Sequence, residues 1–92
     1  MEIVVFAYQV IPGRDEMLRF AKTLEACQND AIAQRDEIRR DDPGLEQLGA
    51  MAIYQMTFRN LDATAMIAVL NEELALFDAA VVDRRLVAVV AE

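Results

Sequence analysis

Between Glu2 and Val10 the chain is apolar on both sides of a two-residue period. Val4, Phe6, Tyr8 and Val10 fall on one side, and Ile3, Val5, Ala7 and Gln9 on the other. β-Branched and aromatic residues in that alternation predict a strand, and two apolar faces predict cover on both. Pro12-Gly13 ends it, since proline donates nothing to a ladder and glycine suits a turn. From Met17 the period changes. Met17, Phe20, Leu24, Cys27, Ala31 and Ile38 fall at helical spacing behind Asp15 and Glu16, and Arg39-Arg40 with Asp41-Asp42-Pro43-Gly44 close the run. The spacing predicts one helix of about 25 residues, roughly 37 Å long.

A second two-residue period runs from about Leu48 to Arg59, with Ala50, Ala52, Tyr54, Met56 and Phe58 on one face. Asp62 is suited to cap a second helix that ends between Leu74 and Phe77. Met66, Ile67, Leu70, Leu74 and Phe77 would form its core face. Ala65, Ala68, Val69 and Leu76 make the rest apolar too, which predicts burial on more than one side. The run from about Ala80 to Ala91 reads as a last strand, interrupted by Asp83-Arg84-Arg85 as a polar edge or bulge; a hairpin there is the alternative.

These elements predict one α+β domain spanning residues 1–92, in β-α-β-α-β order, with two helices on one sheet face. The nearest common design is ferredoxin-like, which has four strands. The fourth would be fused into Leu48–Arg59 or formed after Asp83. Two helices cover one face only. The second apolar faces then call for a second sheet from an identical chain, so a sheet-mediated homodimer is expected.

Composition sharpens this. The chain is 55% hydrophobic yet carries a net charge of −7, which keeps a sticky fold in solution and disfavours direct contact with nucleic acid. No uncharged run approaches the ~20 residues of a membrane span. Met1-Glu2-Ile3-Val4-Val5 lacks the basic start of a secretory signal, and one cysteine fits a reducing compartment, so a cytoplasmic location is expected.

The stretch Tyr8-Gln9-Val10-Ile11-Pro12-Gly13-Arg14-Asp15-Glu16-Met17-Leu18 resembles the dimeric α+β barrel superfamily, which includes antibiotic-biosynthesis-type monooxygenases. In that group a strand often runs through a short Pro-Gly and charged turn into a long helix. The resemblance implies a dimerised sheet. It transfers no catalytic residue: the chain has no tryptophan, and no histidine to match the proximal ligand of heme-handling members.

Candidate chemistry is sparse. With no histidine and no serine, triads and the commonest zinc ligand are absent, so neither a metal site nor a cofactor is expected. Cys27 lies on an apolar helix stripe and reads as an inert hydrophobe. Asp41, Asp42 and Glu46 are too few and too irregular for a calcium loop. Tyr8 and Tyr54 lie on strands. Over one cavity they would orient a small ligand, with Asn71 as an added polar contact; core packing with each hydroxyl at the rim is the simpler reading. The leading expectation is a homo-oligomeric binding or assembly domain, not an enzyme, that holds a small apolar ligand. A cofactor-independent monooxygenase-like enzyme and an acidic inhibitor or nucleic-acid mimic are the alternatives.

Overall fold

The computed structural model describes residues 1–44 and 47–91. Its elements are β1 (Glu2–Gln9), β2 (Leu18–Ala21), α1 (Leu24–Asp41), β3 (Met51–Arg59), α2 (Ala63–Leu70), α3 (Leu76–Ala80) and β4 (Val81–Val90). The four strands form one open sheet in the order β2-β1-β3-β4, and every neighbouring pair is antiparallel.

The expected long helix from Met17 is corrected at its start. Leu18–Ala21 is a strand that returns along β1, pairing Phe6 with Ala21 and Gln9 with Leu18. This is the fourth strand, and it lies neither within Leu48–Arg59 nor after Asp83. The turn chemistry explains it. Gly13 has φ 81°, and the Arg14 amide donates to the Ile11 carbonyl at 3.0 Å, so Pro12-Gly13 occupies the centre of a type II turn that reverses the chain. The helix begins only after Thr23, whose side-chain oxygen accepts from the Ala26 amide at 3.1 Å.

The register of β1 on β3 is regular, pairing Tyr8 with Ile53 and Ala7 with Tyr54. Phe6, Tyr8, Met51 and Ile53 therefore point to one face, and Ile3, Val5, Ala7, Tyr54, Met56 and Phe58 to the other. On the first face α1 packs down through Cys27 and Ala31, both fully buried, and the core gathers there around Tyr8, Met51 and Ile53. One turn further along α1, Arg35 is also buried. Its guanidinium donates to the carbonyls of Gly49 (2.6 Å), Leu48 (3.3 Å) and Val90 (3.3 Å), tying the helix to the entry of β3 and the exit of β4.

The second helix is corrected as well. Asp62 caps α2 as expected, accepting from the Ala65 amide at 2.8 Å. The helix stops at Leu70, however, because Glu72 turns left-handed with φ 59°. The Glu72 amide then donates to Val69 and the Glu73 amide to Ala68, the paired closure of a Schellman motif. A short α3 follows, and its Phe77 meets Phe58 edge-on with ring centroids 5.6 Å apart. Phe58 is on the face opposite α1, so the helices do not share one face. α2 buries none of its residues, contrary to the expected burial on more than one side.

β4 is one continuous edge strand. Register shifts on either side of Asp83-Arg84-Arg85 leave Val82 and Val87 unpaired against β3, which fits the bulge and not the hairpin. Among the described residues no helix is long and apolar enough to cross a membrane.

Candidate functional site

The face opposite α1 is only partly covered. Ala7 and Met56 are buried on it, and Ala79 and Ala80 of α3 are buried as well. Beyond them lies a groove of about 600 Å³ walled by Ile3, Val5, Phe20, Phe58, Leu76 and Phe77. Phe20, Phe58 and Phe77 form its aromatic spine: Phe20 meets Phe58 at 6.4 Å and 70°, and Phe58 meets Phe77 at 5.6 Å and 78°. Edge-to-face pairs of this kind add about 0.5–1.5 kcal/mol each beyond the area they bury. Phe20 and Phe77 also line a neighbouring recess of about 360 Å³, whose other walls are Asp15, Glu16, Leu18 and Arg84. The two recesses share a border, apolar at one end and charged at the other.

The charged end is built by the β1–β2 turn. Gln9 is 4% exposed, and its side-chain amide makes three hydrogen bonds. Oε1 accepts from the Gly13 amide at 3.0 Å and the Ala52 amide at 2.8 Å, and Nε2 donates to Asp15 Oδ1 at 2.8 Å. Tyr54 Oη donates to the same Asp15 oxygen at 2.8 Å. Arg84 lies over the Tyr54 ring, 4.8 Å from its centroid, and reaches Asp15 Oδ2 at 3.5 Å. Hydrogen bonds from Gln9 and then Tyr54, with the Arg84 charge, hold the Asp15 carboxyl below its usual range. Burial, and then the Asp15 hydrogen bond, push the Tyr54 hydroxyl above the ordinary tyrosine value. Neither group titrates near neutrality. The cluster is therefore poorly placed for proton transfer at pH 7.

That coupling is measurable. In a Tyr8→Phe background, alkaline absorbance titration is expected to show Tyr54 ionising above ordinary tyrosine, and Asp15→Asn to bring its midpoint down. A group with a raised folded pKa contributes full stability below its unfolded value and loses it as pH climbs through the folded one. For Asp15 the sign is reversed: its contribution is present above the unfolded carboxyl value and fades as pH falls through the lowered one. A Tyr54 midpoint indifferent to Asp15→Asn would show that the hydrogen bond is not formed.

Sequence reasoning offered Tyr8, Tyr54 and Asn71 as one ligand set, with core packing of the tyrosines and a solvated Asn71 as the simpler reading; the structure separates the three. Tyr8 and Tyr54 project from opposite faces of the sheet, because Tyr8 pairs with Ile53 and not with Tyr54. Tyr8 is buried beneath α1, where burial raises its hydroxyl pKa. It borders a separate recess of about 300 Å³ with Arg19, Asp30, Gln34 and Glu37. Asn71 is exposed and serves as the C-cap of α2, its amide donating to the Ile67 carbonyl at 2.9 Å. Gln9, Asp15 and Arg84 were the residues missed. The available signal was Gln9 itself, the one polar residue in an otherwise apolar strand face. Cys27 is buried, and burial pushes its thiol up to about 11, which leaves it unreactive. Among the described residues no cluster of three or more metal-ligating side chains is present, and Glu46 of the acidic group lies outside them. No protein-family model matches the chain, and no curated protein or solved structure is significantly similar to it.

Proposed function

We propose that this chain is a homo-oligomeric binding domain that holds a small apolar ligand between its open sheet face and a second copy. The observation that carries the reading is the groove of about 600 Å³ walled by Ile3, Phe20, Phe58 and Phe77 on a sheet face that no helix fully covers. That volume lies within the usual range for small-molecule sites, about 300–1,000 Å³. An apolar body would lie along the phenylalanine spine, with any hydroxyl or carbonyl turned toward Tyr54 and Arg84. On this reading the four-stranded sheet is a variant of the ferredoxin-like plan whose fourth strand is the hairpin partner Leu18–Ala21, paired face to face as the Tyr8–Leu18 resemblance implies.

Sedimentation across the micromolar range is expected to show a dimer. Nile red, a neutral apolar dye, is expected to bind saturably, and Phe20→Asp at the 48% exposed groove wall to abolish its emission. A chain that stays monomeric and leaves the dye dark would sink the proposal.

The hydrogen bond from Tyr54 to Asp15 beside the groove favours a second reading, a cofactor-independent monooxygenase-like enzyme in which Tyr54 orients an electron-rich substrate. The inhibitor reading gains no such support. Among the described residues the exposed acids scatter over β1 and the turn after it (Glu2, Asp15, Glu16), α1 and its C-terminal end (Glu25, Asp30, Asp36, Glu37, Asp41, Asp42), the α2–α3 region (Asp62, Glu72, Glu73, Asp78) and β4 (Asp83).

A further inference from the structure

The segment Ala63–Leu70 is an eight-residue helix with no charged side chain and no buried residue. Met66, Ile67 and Leu70 are 44%, 57% and 72% exposed, and Leu74 and Leu76 beyond the Schellman turn are exposed too. An apolar helix in this state lacks the packing from which helices in proteins draw most of their stability. The same chain carries an unfilled apolar groove. Each surface is of the kind that would cover the other.

The dimensions agree. A compact monomer of 10.3 kDa exposes about 5,400 Å², whereas this chain exposes 6379 Å². The surplus, about 1,000 Å², matches the roughly 800 Å² that each partner buries in an ordinary specific interface. The radius of gyration is 15.5 Å and the longest extent 50 Å, against about 12 Å for the radius of a compact domain of this length. The chain has the shape of one half of something. Its arm carries no charge, so a basic or acidic partner surface would find nothing to pair with, and a second copy supplies the matching apolar groove.

We infer that α2 of each chain is an arm that closes the groove of a second copy, so that the binding site is complete only in the dimer. This rests on the homo-oligomeric reading above and adds to it which segment forms the roof. In a two-fold pair the contact is reciprocal: Ile67 and Leu70 of each chain face the Ile3, Phe20 and Phe58 wall of the other. Ligand entry would then depend on arm release, and occupancy on the oligomeric state.

The test uses the whole chain. Ile67→Asp with Leu70→Asp places charge at positions that are 57% and 72% exposed in one chain, so each protomer should keep its fold by circular dichroism. Dimer dissociation measured by sedimentation equilibrium is expected to weaken by about 100-fold or more, the scale of losing two central anchors. A gentler variant pair guards against misfolding. Leu70→Cys chains mixed with Ile3→Cys chains should cross-link with a short bismaleimide, and neither should do so alone, since Cys27 is buried. An arm variant that dimerises with wild-type affinity would overturn the arm while leaving the dimer standing. A wild-type chain that is monomeric at every concentration would overturn both.

Discussion

Arg35→Met is expected to lower the unfolding free energy by about 3 kcal/mol, read as a shift of the urea midpoint at unchanged slope. Methionine keeps the length of the stem and removes only the guanidinium fork. That fork donates to three carbonyls from two separate segments: Gly49 at 2.6 Å and Leu48 at 3.3 Å before β3, and Val90 at 3.3 Å at the end of β4. Each hydrogen bond from a charged donor contributes about 1.5–3 kcal/mol, and relief of the buried charge returns part of the sum. The charge is strained by its surroundings. Burial, and secondarily Arg39, lower the Arg35 pKa, although it remains protonated throughout the working range. Arg35→Lys should recover little, because one ammonium cannot address carbonyls on both segments at once. A loss under about 0.5 kcal/mol for Arg35→Met, the size of an ordinary surface change, would show that the fork does not join α1 to the sheet.

Arg35 also shows where sequence reading stopped. The strands were legible because β1, β3 and β4 are long and dense in Val, Ile and Tyr, so that the two-residue period repeats several times within each. β2 has four residues, which is one repeat and no more. Phe20 and Leu24 stand four apart across a strand end and a helix start, and mimic a helical stripe that the Thr23 cap interrupts. The α2–α3 break was illegible for a different reason. It depends on one left-handed residue, Glu72, of a type that seldom adopts that conformation, with no glycine to mark it. The excess of apolar surface was correctly legible as composition. Its location was not. Burial of α2 was expected from its apolar residues, but helical periodicity reports which positions are greasy and not whether the same chain covers them. The site failed on register. Tyr8 and Tyr54 share an alternating pattern, but a pairing offset by one residue sends them to opposite faces. No local pattern announces that Gln9 would clasp Gly13, Ala52 and Asp15 together.

Ile53→Ala should bring the domain close to unfolding, with an expected loss of about 3–4 kcal/mol. Ile53 is fully buried between α1 and the sheet, in a cluster with Tyr8, Cys27, Ala31 and Met51 against which Leu24 and Ile38 of α1 also pack. The fully buried α1 members of that cluster, Cys27 and Ala31, are too short to fill the vacated volume themselves. A cavity cost should therefore add to the lost transfer energy. A domain this small lies toward the lower end of the usual range of about 5–15 kcal/mol, and each kcal/mol moves the midpoint of thermal unfolding by about 4–8 °C. Ile67→Ala removes the same atoms from an arm position that is 57% exposed, and should change the stability of a single chain by less than about 0.5 kcal/mol. The two isoleucines separate fold from association. The Ile53 deficit should be present at every protein concentration. An Ile67 deficit should appear only as concentration is raised into the range where the wild-type chain pairs, because binding stabilises by mass action. Equal losses from the two substitutions in dilute protein would mean that α2 is part of the core of its own chain, and the arm would have to be abandoned.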